Sequence, residues 1–129
     1  MEKTEFADKL IDIFPDKTDS LSNHYEYYGE MLGHIFFAEE INEPLVELLY
    51  KDTNTELIKK YCKFIQDMWE FGTEEVVNIV DVTILERLSD DKRVWHNFGK
   101  YISPDFKRYI NEVSIPNNSM MDSNNMLKI

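Results

Sequence analysis

The sequence predicts an all-α fold, either an antiparallel helical bundle or a short helical-hairpin stack of about six to seven helices. Three observations predict this class. Apolar residues recur at helical spacing along most of the chain. Short segments with capping residues, proline or glycine separate the periodic stretches. The 129 residues suffice for one sizeable hydrophobic core and are too few for two.

The first half of the chain predicts three helices. The first covers residues 4–14 and ends at Pro15. The second runs from about residue 23 to residue 41, and a short third helix, with Pro44 near its first turn, follows as far as Tyr50. The apolar stripe of the first helix consists of Phe6, Leu10, Ile13 and Phe14.

The second half predicts four more helices. The fourth starts at a capping box that begins with Thr53, and Gly72 ends it. The fifth covers about residues 74–88. The sixth opens at the cap-rich run that starts with Ser89, and the seventh opens at Ser103, which precedes a proline.

The fifth of these segments could instead be a strand. Residues 76–85 are rich in β-branched side chains, which favour strands. A lone strand would leave its backbone groups unpaired, and the sequence contains no second candidate. The helical interpretation is therefore favoured, and its widely distributed apolar residues predict a buried central helix.

We expect one helical domain over residues 1–113 and a flexible tail over residues 114–129. The tail reads SIPNNSMMDSNNMLKI, so it is rich in Asn and Ser and lacks helical periodicity. No apolar run approaches the length of a membrane span, so no membrane partner is expected. The single cysteine, Cys62, fits a reducing compartment, and we expect the protein to be cytoplasmic.

The charge of the chain is concentrated in its first half. The formal net charge is -11, from 14 basic and 25 acidic residues. Residues 1–50 hold three lysines against twelve acidic residues. Such a balance repels phosphate backbones, so we expect no nucleic-acid binding and predict a basic protein as partner.

No residue pattern identifies a reaction. Glu30 and His34 share a helix face at a spacing of four, but dinuclear sites in helical bundles use a repeated spacing of three. Cys62 lies at the edge of an apolar stripe, where a buried structural thiol is expected. We therefore expect no enzyme activity and no catalytic, cofactor or metal site. Asp81 and Glu86 leave two alternatives open, a structural polar network or a pocket acid with a raised pKa.

The predicted second helix contains a candidate partner-binding surface. When the residues of this helix are placed at 100° intervals, Phe37 lies among carboxylates on the outward side. Aromatic residues in polar surroundings are typical interface anchors. The alternative is that Phe37 packs beneath the first or third helix. The partner-binding residues predicted here are Glu26, Glu30, Phe37, Glu40, Glu43 and Glu47.

Two stretches carry a resemblance, YYGEMLG at residues 27–33 and VTILERLSDD at residues 82–91, followed by Trp95 and Phe98. With these, residues 5–112 resemble a family of small, uncharacterised helical domains from bacteria. In general type the chain is similar to the acidic immunity proteins of bacterial toxin systems. That resemblance implies a protein that binds a toxin, often a basic nuclease, and blocks its active site.

The leading hypothesis is a non-catalytic protein-binding module, most concretely an immunity protein that neutralises a cognate toxin. One alternative is a small helical ligand-binding or metal-dependent enzyme domain with a site between helices. Another is an oligomeric structural or regulatory subunit with an exposed tryptophan surface, and the oligomeric state stays open. Candidate polar groups for the enzyme alternative are Glu30, His34, Asp81 and Glu86.

Overall fold

The fold is described from a computed structural model, in which residues 1–115 and residue 129 are described. This part of the chain contains seven helices and no strand, which confirms the predicted all-α class. In chain order the helices are α1 (Lys3–Ile13), α2 (Thr18–Tyr28), α3 (Gly33–Phe37, Ala38–Asn42 and Glu43–Lys51), α4 (Thr55–Phe71), α5 (Glu74–Ile79, Val80–Leu85 and Glu86–Ser89), α6 (Lys92–Gly99) and α7 (Pro104–Tyr109 and Ile110–Ser114). None of these helices combines the length and the apolar character needed to cross a membrane.

Three of the helices contain a π-helical segment, in which the backbone hydrogen bonds span five residues instead of four. These segments are Ala38–Asn42 in α3, Val80–Leu85 in α5 and Ile110–Ser114 in α7. The segments of α3 and α5 pack against each other. Two unusual helical turns therefore meet in the body of the fold.

Side-chain caps set the start of the later helices. Thr73 accepts the N–H of Val76 at the start of α5, and Ser103 accepts the N–H of Phe106 at the start of α7, as the sequence predicts. The cap of α4 is Asn54 and not Thr53, because the Asn54 side chain accepts a backbone N–H of the first turn.

The predicted single helix over residues 23–41 is wrong. α2 begins at Thr18 and ends at Tyr28, because Gly29 adopts a left-handed conformation with φ of 78°. Its N–H closes the last turn on the carbonyl of Tyr25 at 2.8 Å. The chain turns, and α3 starts at Gly33, where an added Cβ would lie 2.5 Å from a methyl group of Ile79. This glycine lets α3 approach α5 closely.

The predicted boundary before Pro44 is also wrong, since α3 continues through this residue. In an α-helix proline cannot donate the backbone hydrogen bond, and its ring crowds the carbonyl four residues earlier. The π-helical segment Ala38–Asn42 lies directly before Glu43 and Pro44. It changes the hydrogen bonding of the carbonyls in the turn that the proline ring would otherwise crowd. The predicted second helix is therefore divided between α2 and α3, and the predicted third helix is the last part of α3.

The core is a single aromatic and aliphatic cluster to which six of the seven helices contribute buried residues, and α2 packs the partly buried Leu21 and Tyr25 against it. Phe64 of α4 lies near its centre, with its ring centroid 5.9 Å from that of Phe6 and 6.4 Å from that of Phe37. α5 is helical as predicted, but it is not wholly buried, because Val82 is 37% exposed and Glu86 faces water. The largest fully buried rings are Phe6, Phe36, Phe37, Phe64, Phe98 and Phe106.

The end of α7 lies beyond the predicted domain boundary at residue 113. Ser114 and Ile115 continue this helix and are buried. Residues 116–128 lie outside the described residues, so the flexible tail stays a prediction for them. Ile129 is described, and its N–H and carbonyl both bond to the side chain of Asn111, at 2.9 and 3.2 Å.

Candidate functional site

Phe37 does not lie on a surface, and its prediction as an interface anchor is wrong. The side chain is 0% exposed, and its ring packs 5.3 Å from the ring of Phe36. The turn after Gly29 changes the direction of the chain before Phe37, and the π-helical segment changes the direction of the residues after it. An arc counted at 100° per residue from residue 23 therefore cannot hold, and the alternative of core packing is confirmed.

The predicted carboxylates lie in several places rather than on one helix face. Glu26 is exposed near the end of α2, and Glu30 is exposed in the turn after it. Glu43 is exposed on α3, and Glu47 forms an exposed ion pair with a lysine four residues later. The break between α2 and α3 separates the first two from the others.

Glu40 is held inside the fold by an ion pair. Its Oε1 lies 3.5 Å from Nζ of Lys17, and the two side chains are only 14% and 13% exposed. The same Nζ lies 5.8 Å and 5.6 Å from the ring centroids of Phe14 and Tyr61. Glu40 thus has an internal partner and supplies less free negative charge than predicted.

Burial, the dominant cause, raises the pKa of the Tyr61 phenol.

Most of the other acidic residues in the first half keep their charge at the surface. Lys3 and Lys9 form ion pairs with Glu75 and Asp67, which lie outside this half. Of the twelve acidic residues in positions 1–50, two form ion pairs with described basic residues. The exposed carboxylates that form none within 4.0 Å of a described basic group are Glu2, Glu5, Asp8, Asp12, Asp16, Asp19, Glu26, Glu30, Glu39 and Glu43.

An exposed aromatic pair lies at the end of α2. Tyr27 is 81% exposed and Tyr28 is 37% exposed, with their ring centroids 4.7 Å apart. The pair borders an open cavity of about 340 Å³. We call this region the Tyr27 surface. It consists of the residues that line the cavity and of two neighbouring carboxylates, Glu26 and Glu30. The lining residues are Ser20, Asn23, His24, Tyr27, Tyr28, Glu39 and Glu40.

His24 supports this surface from beneath. It is buried, and its Nε2 accepts the backbone N–H of Leu32 at 3.0 Å. Its ring lies 4.7 Å from the ring of Tyr28 and 5.3 Å from that of Phe36. The imidazole therefore ties α2 to the turn that follows Gly29. Sequence reasoning missed Tyr27, although the glycine that ends α2 was the available signal.

The proposed Glu30–His34 pair does not form. His34 Nδ1 lies 2.5 Å from the hydroxyl oxygen of Thr83, on α5. Among the described residues, no group of three or more His, Cys, Asp or Glu side chains could hold a metal ion. Cys62 is buried, and burial raises the pKa of its thiol to about 12.

Asp81 and Glu86 occupy different surroundings. The hydroxyl of Tyr109 donates to both carboxylate oxygens of Asp81, at 3.0 and 2.8 Å, as in the structural-network alternative. Burial is the main cause that raises the pKa of Asp81, and the Tyr109 hydrogen bond opposes it. Glu86 is exposed and lines an open groove between α3 and α5.

Neither tryptophan provides the exposed surface expected of an oligomeric subunit. Trp95 is 3% exposed. Trp69 is partly buried, and its ring packs 4.9 Å from Phe106 and 5.4 Å from Tyr109. The largest exposed fraction among the aromatic side chains of the described residues belongs to Tyr27.

Comparison with known proteins identifies a family but no function. No curated protein and no solved structure matches the chain significantly. The family model described as a domain of unknown function, DUF7674, matches residues 7–115, which include all seven helices except the first residues of α1. The chain therefore belongs to the DUF7674 family.

Proposed function

We propose that this domain is a non-catalytic protein-binding module, an immunity protein that neutralises a basic toxin in the bacterial cytoplasm. The observation that carries the proposal is the exposure of Tyr27, which is 81% accessible beside Glu26 at the end of α2. Tyrosine offers a large contact area at a small cost in rotamer freedom, and aromatic residues are enriched among the anchors of protein interfaces. In this proposal Tyr27 is the exposed interface anchor, a role that the sequence analysis predicted for Phe37.

The charge of the first half supports a basic partner. Glu26, Glu30 and Glu39 are exposed around the aromatic pair and form no ion pair with a described basic group. Carboxylates in this arrangement attract a cationic surface and raise the rate of diffusional encounter by about 10 to 1,000-fold at low ionic strength. A nuclease binds phosphates through basic side chains, so an acidic surface is complementary to its active site.

The first experiment tests neutralisation directly. A toxin domain encoded beside this chain is expressed in a bacterial host, with and without the full domain. The proposal predicts that the toxin alone stops growth and that the domain restores it. A toxin that remains lethal in the presence of soluble domain would contradict the proposed neutralisation.

The second experiment tests the surface with matched variants. Tyr27→Ala removes the exposed ring two residues before Gly29, and Phe71→Ala removes a 54% exposed ring directly before Gly72, at the end of α4. We expect Tyr27→Ala to weaken toxin binding about 10-fold or more and Phe71→Ala to leave it unchanged, as measured by surface plasmon resonance. Equal affinities for the two variants would remove this surface from the interface.

A charge reversal separates position from net charge. Glu26→Lys with Glu30→Lys alters the Tyr27 surface, whereas Glu70→Lys with Glu112→Lys makes the same change in net charge at exposed positions elsewhere. We expect the first pair to lower the association rate much more than the second, with a difference that shrinks as salt is added. Equal losses would assign the effect to net charge alone.

A further inference from the structure

A groove of about 410 Å³ lies between α3 and α5, where their π-helical segments meet. π-helical turns are rare and occur frequently at functional sites. Here two of them, Ala38–Asn42 and Val80–Leu85, contribute to the wall of one groove. None of the groove-lining residues belongs to the Tyr27 surface.

The groove contains a buried acceptor that has no donor. Asn42 lines the groove and is 2% exposed, and its Nδ2 donates to the carbonyl of Ile84 at 3.1 Å. This bond fixes the orientation of the amide, because a flipped amide would place Oδ1 against the carbonyl oxygen of Ile84. Among the buried side-chain nitrogen and oxygen atoms of the described residues, Asn42 Oδ1 is the one without a hydrogen-bond partner. A buried acceptor without a donor costs free energy, and a donor bound in the groove that Asn42 lines would remove that cost.

The charges around the groove select the kind of donor. Glu43, Glu86 and Asp90 line it with exposed carboxylates, and Arg87 is the one basic side chain among the lining residues. These four groups form no ion pair within 4.0 Å in the described part of the chain, so the lining has an excess of negative charge. A cation is attracted to this lining, whereas an anion is repelled by both the carboxylates and the amide oxygen.

We infer that this groove is a binding site for an ammonium or guanidinium group. The cation would donate a hydrogen bond to Asn42 Oδ1 and lie between the carboxylates of Glu43 and Glu86. Both groups carry several N–H donors and no acceptor, which matches a lining of oxygen acceptors. The inference does not depend on the proposed function, because the ligand can be a free amine or a side chain of a bound protein.

The test is a titration of the full domain followed by its backbone-amide NMR signals, at constant ionic strength. The cationic probes are n-butylammonium chloride, agmatine and a short neutral-ended peptide that contains one arginine, and n-butanol is the uncharged control. We expect saturable shifts at residues of the two π-helical segments with the cations and none with n-butanol. Stronger binding of agmatine assigns the site to a free amine, and stronger binding of the peptide assigns it to a protein side chain.

Variants at exposed positions keep the test independent of folding. Glu43→Gln combined with Glu86→Gln removes two carboxylates from the groove. Glu70→Gln combined with Glu112→Gln, at exposed positions outside both the groove and the Tyr27 surface, is the control with the same change in net charge. We expect at least about a 10-fold loss of affinity for the double variant, as for a lost charge-assisted hydrogen bond, and no loss for the control.

Three results would overturn the inference. The first is the absence of saturable shifts with every cation, which leaves water as the donor to Asn42. The second is an equal response to n-butanol. The third is an equal loss of affinity in the Glu70→Gln, Glu112→Gln control and in the groove variant, because that result describes general attraction to an acidic protein. Toxin binding that persists when the groove variant fails would leave the proposed function intact.

Discussion

The backbone N–H of Leu32 donates a hydrogen bond to Nε2 of His24 across 3.0 Å. Nε2 must therefore be unprotonated, which places the ring proton on Nδ1. A buried imidazole thus serves as the acceptor that holds the turn between α2 and α3. Because this turn positions Tyr27 and Tyr28, the local stability of the Tyr27 surface depends on one internal hydrogen bond.

Replacing His24 with leucine is expected to destabilise the domain by about 1–3 kcal/mol, because the N–H of Leu32 would lose its acceptor. Urea denaturation followed by circular dichroism measures the change. The matched control is His96→Leu, since His96 is exposed on α6, and we expect its effect to stay within about 0.5 kcal/mol. Equal effects of the two substitutions would show that the His24 bond contributes nothing to stability.

The ion pair between Lys17 and Glu40 gives a second prediction. Lys17→Met leaves the largely buried Glu40 without its partner, so we expect a loss of about 1–3 kcal/mol in the free energy of unfolding. Adding Glu40→Gln should restore part of that loss. Lys51→Met breaks an exposed pair with Glu47 and should have a much smaller effect, because solvent screens that pair. A double variant that is no more stable than Lys17→Met would contradict the assigned role of Glu40.

A third prediction concerns pH. Burial raises the pKa of Asp81 in the folded state above its ordinary value of 3.8, so the folded protein binds the proton more tightly than the unfolded chain does. The stability supplied by this group is present below pH 3.8 and is lost as the pH rises through the raised pKa. We therefore expect Asp81→Asn, which can still accept from Tyr109, to gain stability relative to the parent protein as the pH rises from about 3 to about 6.

The measurement is the difference in unfolding free energy between the two proteins across that range. Asp105→Asn, at an exposed position on α7, is the control for general charge effects. A difference that moves in the opposite direction with pH would show that the hydrogen bonds to the ionised carboxylate outweigh its burial.

Gly29 gives a fourth prediction. An added Cβ would meet no atom within 4 Å, so the cost of Gly29→Ala comes from the left-handed backbone alone and should be about 1–2 kcal/mol. Gly29→Asn should cost less, because asparagine adopts this conformation more readily. Thermal unfolding of both variants checks the order. Similar losses for alanine and asparagine would exclude backbone conformation as the cause.

The sequence predicts the helices where the local signals are strong. Thr73 and Ser103 cap α5 and α7 as expected, and the β-branched run over residues 76–85 is helical. The prediction fails where the helical phase changes. Gly29 ends α2 with a positive φ, although the apolar pattern continues beyond it, so the apolar periodicity alone predicted too long a helix.

The error at Phe37 has the same origin. Phe37, Ile41, Leu45 and Leu49 are all 0% exposed and recur every four residues. In a regular α-helix each four-residue step rotates the side-chain direction by about 40°, so residues at this spacing do not all face the same core. The wider π-helical turn corrects the phase, and a run of four-residue spacings was the signal for it. The groove at Asn42 depends on two such turns meeting across helices, which no local pattern predicts.

The π-helical segment of α3 also bears on which changes of chain length this helix can tolerate. A π turn holds one residue more than an α turn, so the helix contains a spare residue between Ala38 and Asn42. Deletion of Glu39 should allow ordinary α-helical bonding to close through the gap, with Phe36 and Leu45 still directed inward. The same deletion would displace the amide of Asn42 from Ile84. A family member shorter by one residue here would then keep the scaffold and lose the groove.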